Sequence, residues 1–217
     1  MRRLAPPPHL HDRAGLGLLT LALLAFALLA SDLLRNGPIT RADEPLSRWA
    51  HDHMTEALTQ FLLVVTHLHS TTGICLMALA AAVALAWARQ WAWLPALALC
   101  VPGGLVLNAG LKQVFQRVRP SGDSPVLALV TYSFPSGHAA GATVWWGFVA
   151  ILCLAWRPGP WPRAGVLVLA AMMICLTAFS RVYLGVHYPS DVLAAMAEGM
   201  AWLALCFMAL GARQRRR

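Results

Sequence analysis

The chain has 217 residues, 59% of them hydrophobic and only 12% charged, whereas an ordinary soluble domain is about half apolar and about a quarter charged. That balance excludes a water-soluble globule and marks an integral membrane protein. The net charge of +8 is read as the topology signal that membrane proteins carry in loops and tails, so nucleic acid is set aside as a partner.

A bilayer core about 30 Å thick needs roughly 20 apolar helical residues. After "MRR", the run over 14–34 meets that length. It is read as a retained span, because its apolar stretch exceeds the roughly 7–15 residues of a signal-peptide core. Next, "PLSRWAHDHMTEALTQFLLVV" sets Leu46, Trp49, Met54, Ala57, Leu58, Phe61, Leu62 and Val65 near the helical period, with Arg48, Asp52, Glu56 and Gln60 opposite. The spacing predicts one amphipathic helix over 45–66, lying along the membrane interface or packed on the bundle, with a gate over a lipid entrance as the sharper alternative. Further spans are predicted over 71–87, 91–111, 139–156, 164–179 and 192–210, the third bent by Pro95 and by Pro102 to Gly104. A basic tail, 211–217, closes the chain and is suited to anionic lipid. No repeat or linker divides the sequence. The expectation is one all-α domain over 1–217, an integral-membrane six-helix bundle with an extra amphipathic helix outside the cytoplasm.

With six spans both termini share a side. That side collects ten of the seventeen basic residues, among them Arg2, Arg3, Arg13, Arg89, Arg157 and Arg163. The positive-inside rule makes it cytoplasmic. The opposite side holds Arg35, Arg41, Arg48, Lys112, Arg117, Arg119 and Arg181, and basic residues that oppose the rule call for another explanation. The five cysteines are scattered singly and read as small buried hydrophobes. The pairs His51/His53 and His67/His69 lack the further ligands a metal would need.

Three stretches carry chemistry: "KQVFQRVRP" at Lys112 to Pro120, "PSGH" at Pro135 to His138, and "SRVYLGVHYPSD" at Ser180 to Asp191. The predicted spans bring all three to one membrane face. Three cations (Lys112, Arg119, Arg181), two histidines (His138, His187) and one carboxylate (Asp191) then meet at the mouth of the bundle. Fixed cations suit an anion with several oxygens, and the guanidinium fork suits phosphate. Ser136 and Gly137 precede a long helix, whose unpaired N–H groups favour an anion. A neutral imidazole can attack phosphorus when an acceptor holds its other nitrogen, and Asp191 is placed to orient His187 that way. His138 could protonate the departing alkoxide. No acidic cluster for magnesium is evident. Arg117 is read as an interfacial side chain with its head in water. Glu198 is read as a hydrogen-bonded packing residue facing the bundle.

K-x6-R-P, PSGH and S-R-x5-H-x3-D, in that order and with every signature position filled, resemble the three signatures of the type 2 phosphatidic acid phosphatase superfamily. The resemblance implies a metal-free and cofactor-free membrane lipid phosphatase. It implies His187 as nucleophile, His138 as general acid, and Lys112, Arg119, Ser136, Gly137 and Arg181 as phosphate ligands. Expected substrates are undecaprenyl pyrophosphate, phosphatidylglycerophosphate, phosphatidate or a lipid A phosphate, with a lean towards the first or a broad range. The expected site faces outward from the inner membrane. Two alternatives come from other classes: a vanadate-dependent haloperoxidase chemistry, disfavoured because those relatives are soluble, and a transporter or scaffold that merely binds a phosphate headgroup, disfavoured by the His187–Asp191 pair.

Overall fold

The computed structural model describes residues 13–120, 131–156 and 159–215. Among them lie eight α-helices: α1 (Arg13–Leu34), α2 (Pro38–Asp52), α3 (Glu56–Leu68), α4 (Thr71–Trp87), α5 (Leu94–Phe115), α6 (Gly137–Leu154), α7 (Pro160–Tyr183) and α8 (Pro189–Arg215). A 3-10 turn at Trp91–Trp93 leads into α5. Five helical segments are long and apolar enough to cross a bilayer, or six if α3 and α4, bent by 53° at their junction, count as one span. Their outward faces are greasy: Leu21, Leu28, Val106 and Val168 are each 65% exposed or more. In water that exposure would be costly; in lipid it is neutral.

The centre is built from small residues. Ala139, Ala140 and Ala142 of α6 and Ala194, Ala195 and Ala197 of α8 are all buried, which lets the two backbones approach closely. Larger groups fill the end remote from the predicted site, where Trp93, Phe148 and Phe207 share one cluster. At the site end Phe26 of α1, Phe115 of α5 and Phe134 pack edge-on, the last two 4.9 Å apart between ring centres. Phe134 therefore anchors the segment that leads into α6.

The expected amphipathic helix over 45–66 is two helices. The chain breaks at His53 to Thr55 because the Thr55 N–H, which a continuous helix would spend on a carbonyl four residues back, donates to the Tyr183 hydroxyl at 2.7 Å. Thr55 is extended and caps α3. The start of α2 is fixed from α1: Asp32 accepts from the Thr40 N–H at 2.7 Å and the Thr40 hydroxyl at 2.8 Å. Gly37 leaves room for that carboxylate, since a Cβ there would lie 2.0 Å from Asp32 Oδ1.

Other expectations shift in extent. Helix α5 runs unbroken through Pro102 and reaches Phe115, and α8 continues to Arg215 through most of the anticipated basic tail. Cys100 and Cys206 are buried as expected, but Cys75 and Cys175 are exposed, on outward surfaces where lipid accepts a thiol as readily as a core does. His69 is buried with both ring nitrogens committed, Nδ1 to the Val65 carbonyl at 2.8 Å and Nε2 accepting from Trp146 Nε1 at 2.9 Å.

The α6–α8 contact makes a stability prediction. A Cβ on Gly199 would meet Thr143 Cβ at 2.8 Å, close to the backbone, whereas one on Gly147 would meet the mobile end of Leu203 at 2.3 Å. Gly199→Ala should therefore destabilise by about 1–3 kcal/mol and Gly147→Ala by clearly less. Thermal unfolding of the two variants in one detergent checks the order.

Candidate active site

The three motif segments converge at one end of the bundle: the C-terminal ends of α5 and α7 and the N-terminal ends of α6 and α8. The joint between α7 and α8 sets the spacing of its residues. The Val186 N–H bonds to the Arg181 carbonyl and the Gly185 N–H to the Val182 carbonyl, with Gly185 at φ +68°, a Schellman cap that only glycine enters without strain. His187 donates its own backbone N–H to the Arg181 carbonyl at 3.2 Å. One helix cap thus ties the phosphate-binding candidate Arg181 to the nucleophile candidate His187.

On the other side of the joint, Asp191 occupies the third position of α8. Its Oδ2 accepts the Tyr188 N–H at 2.9 Å, which satisfies an end-of-helix donor and places the carboxylate where the helix dipole favours it. The same oxygen accepts the Ser133 hydroxyl and faces His187 Nδ1 at 3.3 Å. Arg119 Nη1 donates to His187 Nε2 at 3.1 Å. A guanidinium cannot accept, so Nε2 carries the lone pair and the proton sits on Nδ1, towards Asp191. Burial is the largest influence on this ring and pushes its pKa down to about 3, against the upward pull of Asp191. The imidazole is held in one tautomer, with the Nε2 lone pair facing Arg119.

Around Nε2 stand the cations. Arg119 is held by the Thr131 carbonyl at 2.7 Å, the Thr131 hydroxyl at 2.9 Å and the Val186 carbonyl at 2.7 Å. Lys112 Nζ donates to the Tyr132 carbonyl at 2.6 Å and lies within electrostatic reach of Arg119, Arg181 and Asp191. Arg181 is 1% exposed; its Nη1 donates to the Thr66 hydroxyl of α3, while Nε and Nη2 meet no acceptor among the described residues. The Ser136 hydroxyl, at the N-cap of α6, is likewise without a partner there. A buried guanidinium with two free N–H directions is a strong anion donor. Next to Ser136, Gly137 keeps the backbone open: a Cβ would sit 3.2 Å from Asn108 Oδ1 and 3.7 Å from Lys112 Cε. His138, half-buried, lies within electrostatic reach of Arg181, His187, Arg119 and Lys112. All eight residues singled out from sequence come together.

One expectation is overturned. Arg117 is no interfacial side chain with its head in water: the side chain is 10% exposed and ion-paired to Asp43 at 2.7 Å and to Asp191 at 2.6 Å. The Tyr188 ring lies 4.2 Å from its guanidinium carbon. Burial alone would lower the pKa of Arg117, but the two carboxylates outweigh it and hold the pKa above its ordinary value. Asp43, Ser133 and Thr66 also belong to this surround and were not foreseen. The available signal was the excess of basic residues on the face predicted to lie outside, Arg117 among them. Glu198 is as expected, accepting from Asn108 Nδ2 at 2.9 Å with 5% exposure.

The PAP2 superfamily profile matches residues 91–215, the segment that carries this whole arrangement. The chain belongs to that superfamily, and its class is that of a membrane-embedded phosphatase. It is 28% identical to phosphatidylglycerophosphatase B of Bacillus subtilis over 82% of this chain and 88% of that protein. It is 35% identical to decaprenylphosphoryl-5-phosphoribose phosphatase of Mycobacterium tuberculosis over 67% of this chain and 76% of that one. The crystal structure of the transmembrane PAP2-type phosphatidylglycerolphosphate phosphatase from Bacillus subtilis superposes with a TM-score of 0.77 at 25% identity, covering 91% of this chain and 96% of that one. Aquifex aeolicus LpxE shares the fold, with a TM-score of 0.52 at 22% identity, over 81% of this chain and 96% of that one.

The position of Glu198 yields a prediction. Glu198→Gln keeps an oxygen acceptor for Asn108, so phosphate release should stay within about threefold of wild type. Folded protein that has lost turnover would instead place Glu198 in the chemistry.

Proposed function

We propose that the protein removes a phosphate group from the headgroup of a membrane lipid through a covalent phosphohistidine on His187. The observation that carries this reading is the ring itself, with Nε2 as the lone-pair nitrogen and Nδ1 turned to Asp191, beside donors on Arg181 and Ser136 that meet no partner among the described residues. Lys112, Arg119, Arg181, Ser136 and the Gly137 backbone bind the phosphate oxygens and stabilise the charge that builds there during transfer. His187 Nε2 attacks phosphorus as the lipid–oxygen bond breaks, and His138 gives its proton to the leaving alkoxide. His138 then takes a proton from water as that water attacks the phosphohistidine, which releases inorganic phosphate and restores Nε2. The charge-stabilising work falls to fixed side-chain cations, so no metal is required.

A lipid substrate is supported by an apolar cavity of about 260 Å³ between α1, α5 and α8, lined by Leu23, Phe26, Leu107, Leu111 and Trp202 and reaching Glu198. The relatives' names include a glycerophospholipid and a polyprenyl-linked sugar phosphate. The shared chemistry is a terminal phosphate on a lipid headgroup, and the substrate is assigned at that level, with undecaprenyl pyrophosphate and phosphatidylglycerophosphate as leading members. The chain is proposed to act as a single unit in the bacterial inner membrane, its termini in the cytoplasm and its site on the outer face, a placement that the distribution of basic residues supports.

Purified protein in detergent, offered phosphatidylglycerophosphate, phosphatidate, lipid A phosphates, undecaprenyl phosphate and undecaprenyl pyrophosphate, should release inorganic phosphate from at least one. His187→Ala should lower kcat more than about a thousandfold, and His138→Ala by about 10²–10⁴-fold with KM still measurable. EDTA should leave the rate unchanged; inhibition reversed by one divalent metal would overturn the metal-free mechanism. Because burial holds the His187 pKa near about 3, nitrogen-15 NMR of the free protein should show that ring neutral at about pH 5, well below the ordinary titration range of histidine. A protonated His187 ring at that pH contradicts the assignment.

A further inference from the structure

Outside the residues that face phosphate, the strongest unassigned feature is a chain of buried charge from the outer helix α2 to the nucleophile. Asp43 is 1% exposed. Its Oδ1 accepts the Ser190 N–H at 2.9 Å and its Oδ2 accepts both the Ser190 hydroxyl and Arg117 Nη2, the latter at 2.7 Å. Arg117 Nη1 reaches Ser190 Oγ at 2.7 Å and Asp191 Oδ1 at 2.6 Å. One planar fork thus joins a carboxylate on α2 to the carboxylate that orients His187.

The division of labour on Asp191 gives this bridge its meaning. Oδ2 takes the Ser133 hydroxyl, the Tyr188 N–H and His187 Nδ1, whereas Oδ1 has Arg117 as its partner among the described residues. Bonds to one oxygen leave a carboxylate free to swing about its terminal torsion, which is broad. The contact on Oδ1 fixes the plane, and the plane fixes the direction in which Oδ2 receives Nδ1–H. Arg117 is itself pinned by Asp43 and lies against the Tyr188 ring.

We propose that Asp43 and Arg117 are positioning residues for the reaction: they set the orientation of Asp191 and, through it, of the attacking His187 ring. Neither is among the residues that hold phosphate, so their loss should slow chemistry without loosening substrate. The proposal rests on the phosphatase reading above. Partners one step behind a reacting group typically contribute about 10–100-fold.

The experiment is steady-state phosphate release by the full chain in detergent, on whichever lipid phosphate the wild type hydrolyses, for Asp43→Asn, Arg117→Lys, Arg117→Met and the Asp43→Asn/Arg117→Met double variant. Each single variant should lose about 10–100-fold in kcat with KM within about threefold of wild type. Arg117→Lys keeps the charge but lacks the fork, so it should not rescue. In the Arg117→Met background, Asp43→Asn should cost less than about threefold more, because both act along one path. A kcat for Asp43→Asn and Arg117→Lys within about twofold of wild type, a rise in KM alone, or full additivity overturns the proposal. If Asp43→Asn does not fold, Arg117→Lys decides by its kcat and KM alone. A wild type that releases phosphate from no lipid, or a His187→Ala protein as fast as wild type, overturns the underlying reading and this proposal with it.

Discussion

Buried charge governs this structure. At one end of the bundle the chain places Arg117, Arg181, Asp43 and Asp191 where each side chain has little water. Charges in such a place cost several kcal/mol apiece unless opposite charge and hydrogen bonds offset the lost solvation. The fold meets that demand with the N-terminus of α8, which supplies backbone donors and a favourable dipole to both carboxylates at once. Arg117 then supplies the cation between them. Arg181 departs from the pattern: apart from Thr66 its guanidinium has no acceptor among the described residues. A buried guanidinium with N–H groups unspent among the described residues is suited to an anion, which is why Arg181 carries so much of the proposed site.

The outer helices are part of this machinery. Asp32 in α1 fixes the first turn of α2, and Asp43 lies one turn beyond Thr40 on that helix. Tyr183 at the end of α7 breaks the chain between α2 and α3, which frees α3 to bring Thr66 against Arg181. A continuous amphipathic helix could not serve both ends of the site. The break that sequence periodicity did not foresee is therefore what lets one surface segment reach Asp191 through Arg117 and Arg181 directly.

Sequence made five of the spans and the candidate site residues legible, for two different reasons. Spans announce themselves through length and hydropathy, which depend on the bilayer alone and need no knowledge of neighbours. His187, Asp191, Arg181 and Gly185 sit within one short stretch whose spacing is set by a helix cap and a helix start, both local structures. Arg117 and Asp43 were illegible because they are 74 positions apart and meaningful only together. Taken singly, one looks like an interfacial arginine and the other like the polar side of a surface helix. The periodicity of 45–66 misled in the same way, since the competing bond to Thr55 comes from Tyr183, 128 residues later.

Helix α8 also explains how chemistry and lipid recognition can share one small bundle. Its first turn carries Asp191 and receives Asp43, and seven residues further on, about 10 Å deeper at the helical rise per residue, Glu198 meets Asn108 at the head of the apolar cavity. Asn108 precedes Lys112 by one turn of α5, so the two helices run from the proposed phosphate-binding cations to hydrocarbon-lined space side by side. A lipid with its phosphate at Arg181 and its chain along Leu107 and Trp202 would keep each part in the medium it prefers. In the proposed reaction water would then be needed only at the rim, beside His138, and the greasy remainder of the substrate would never have to leave the membrane.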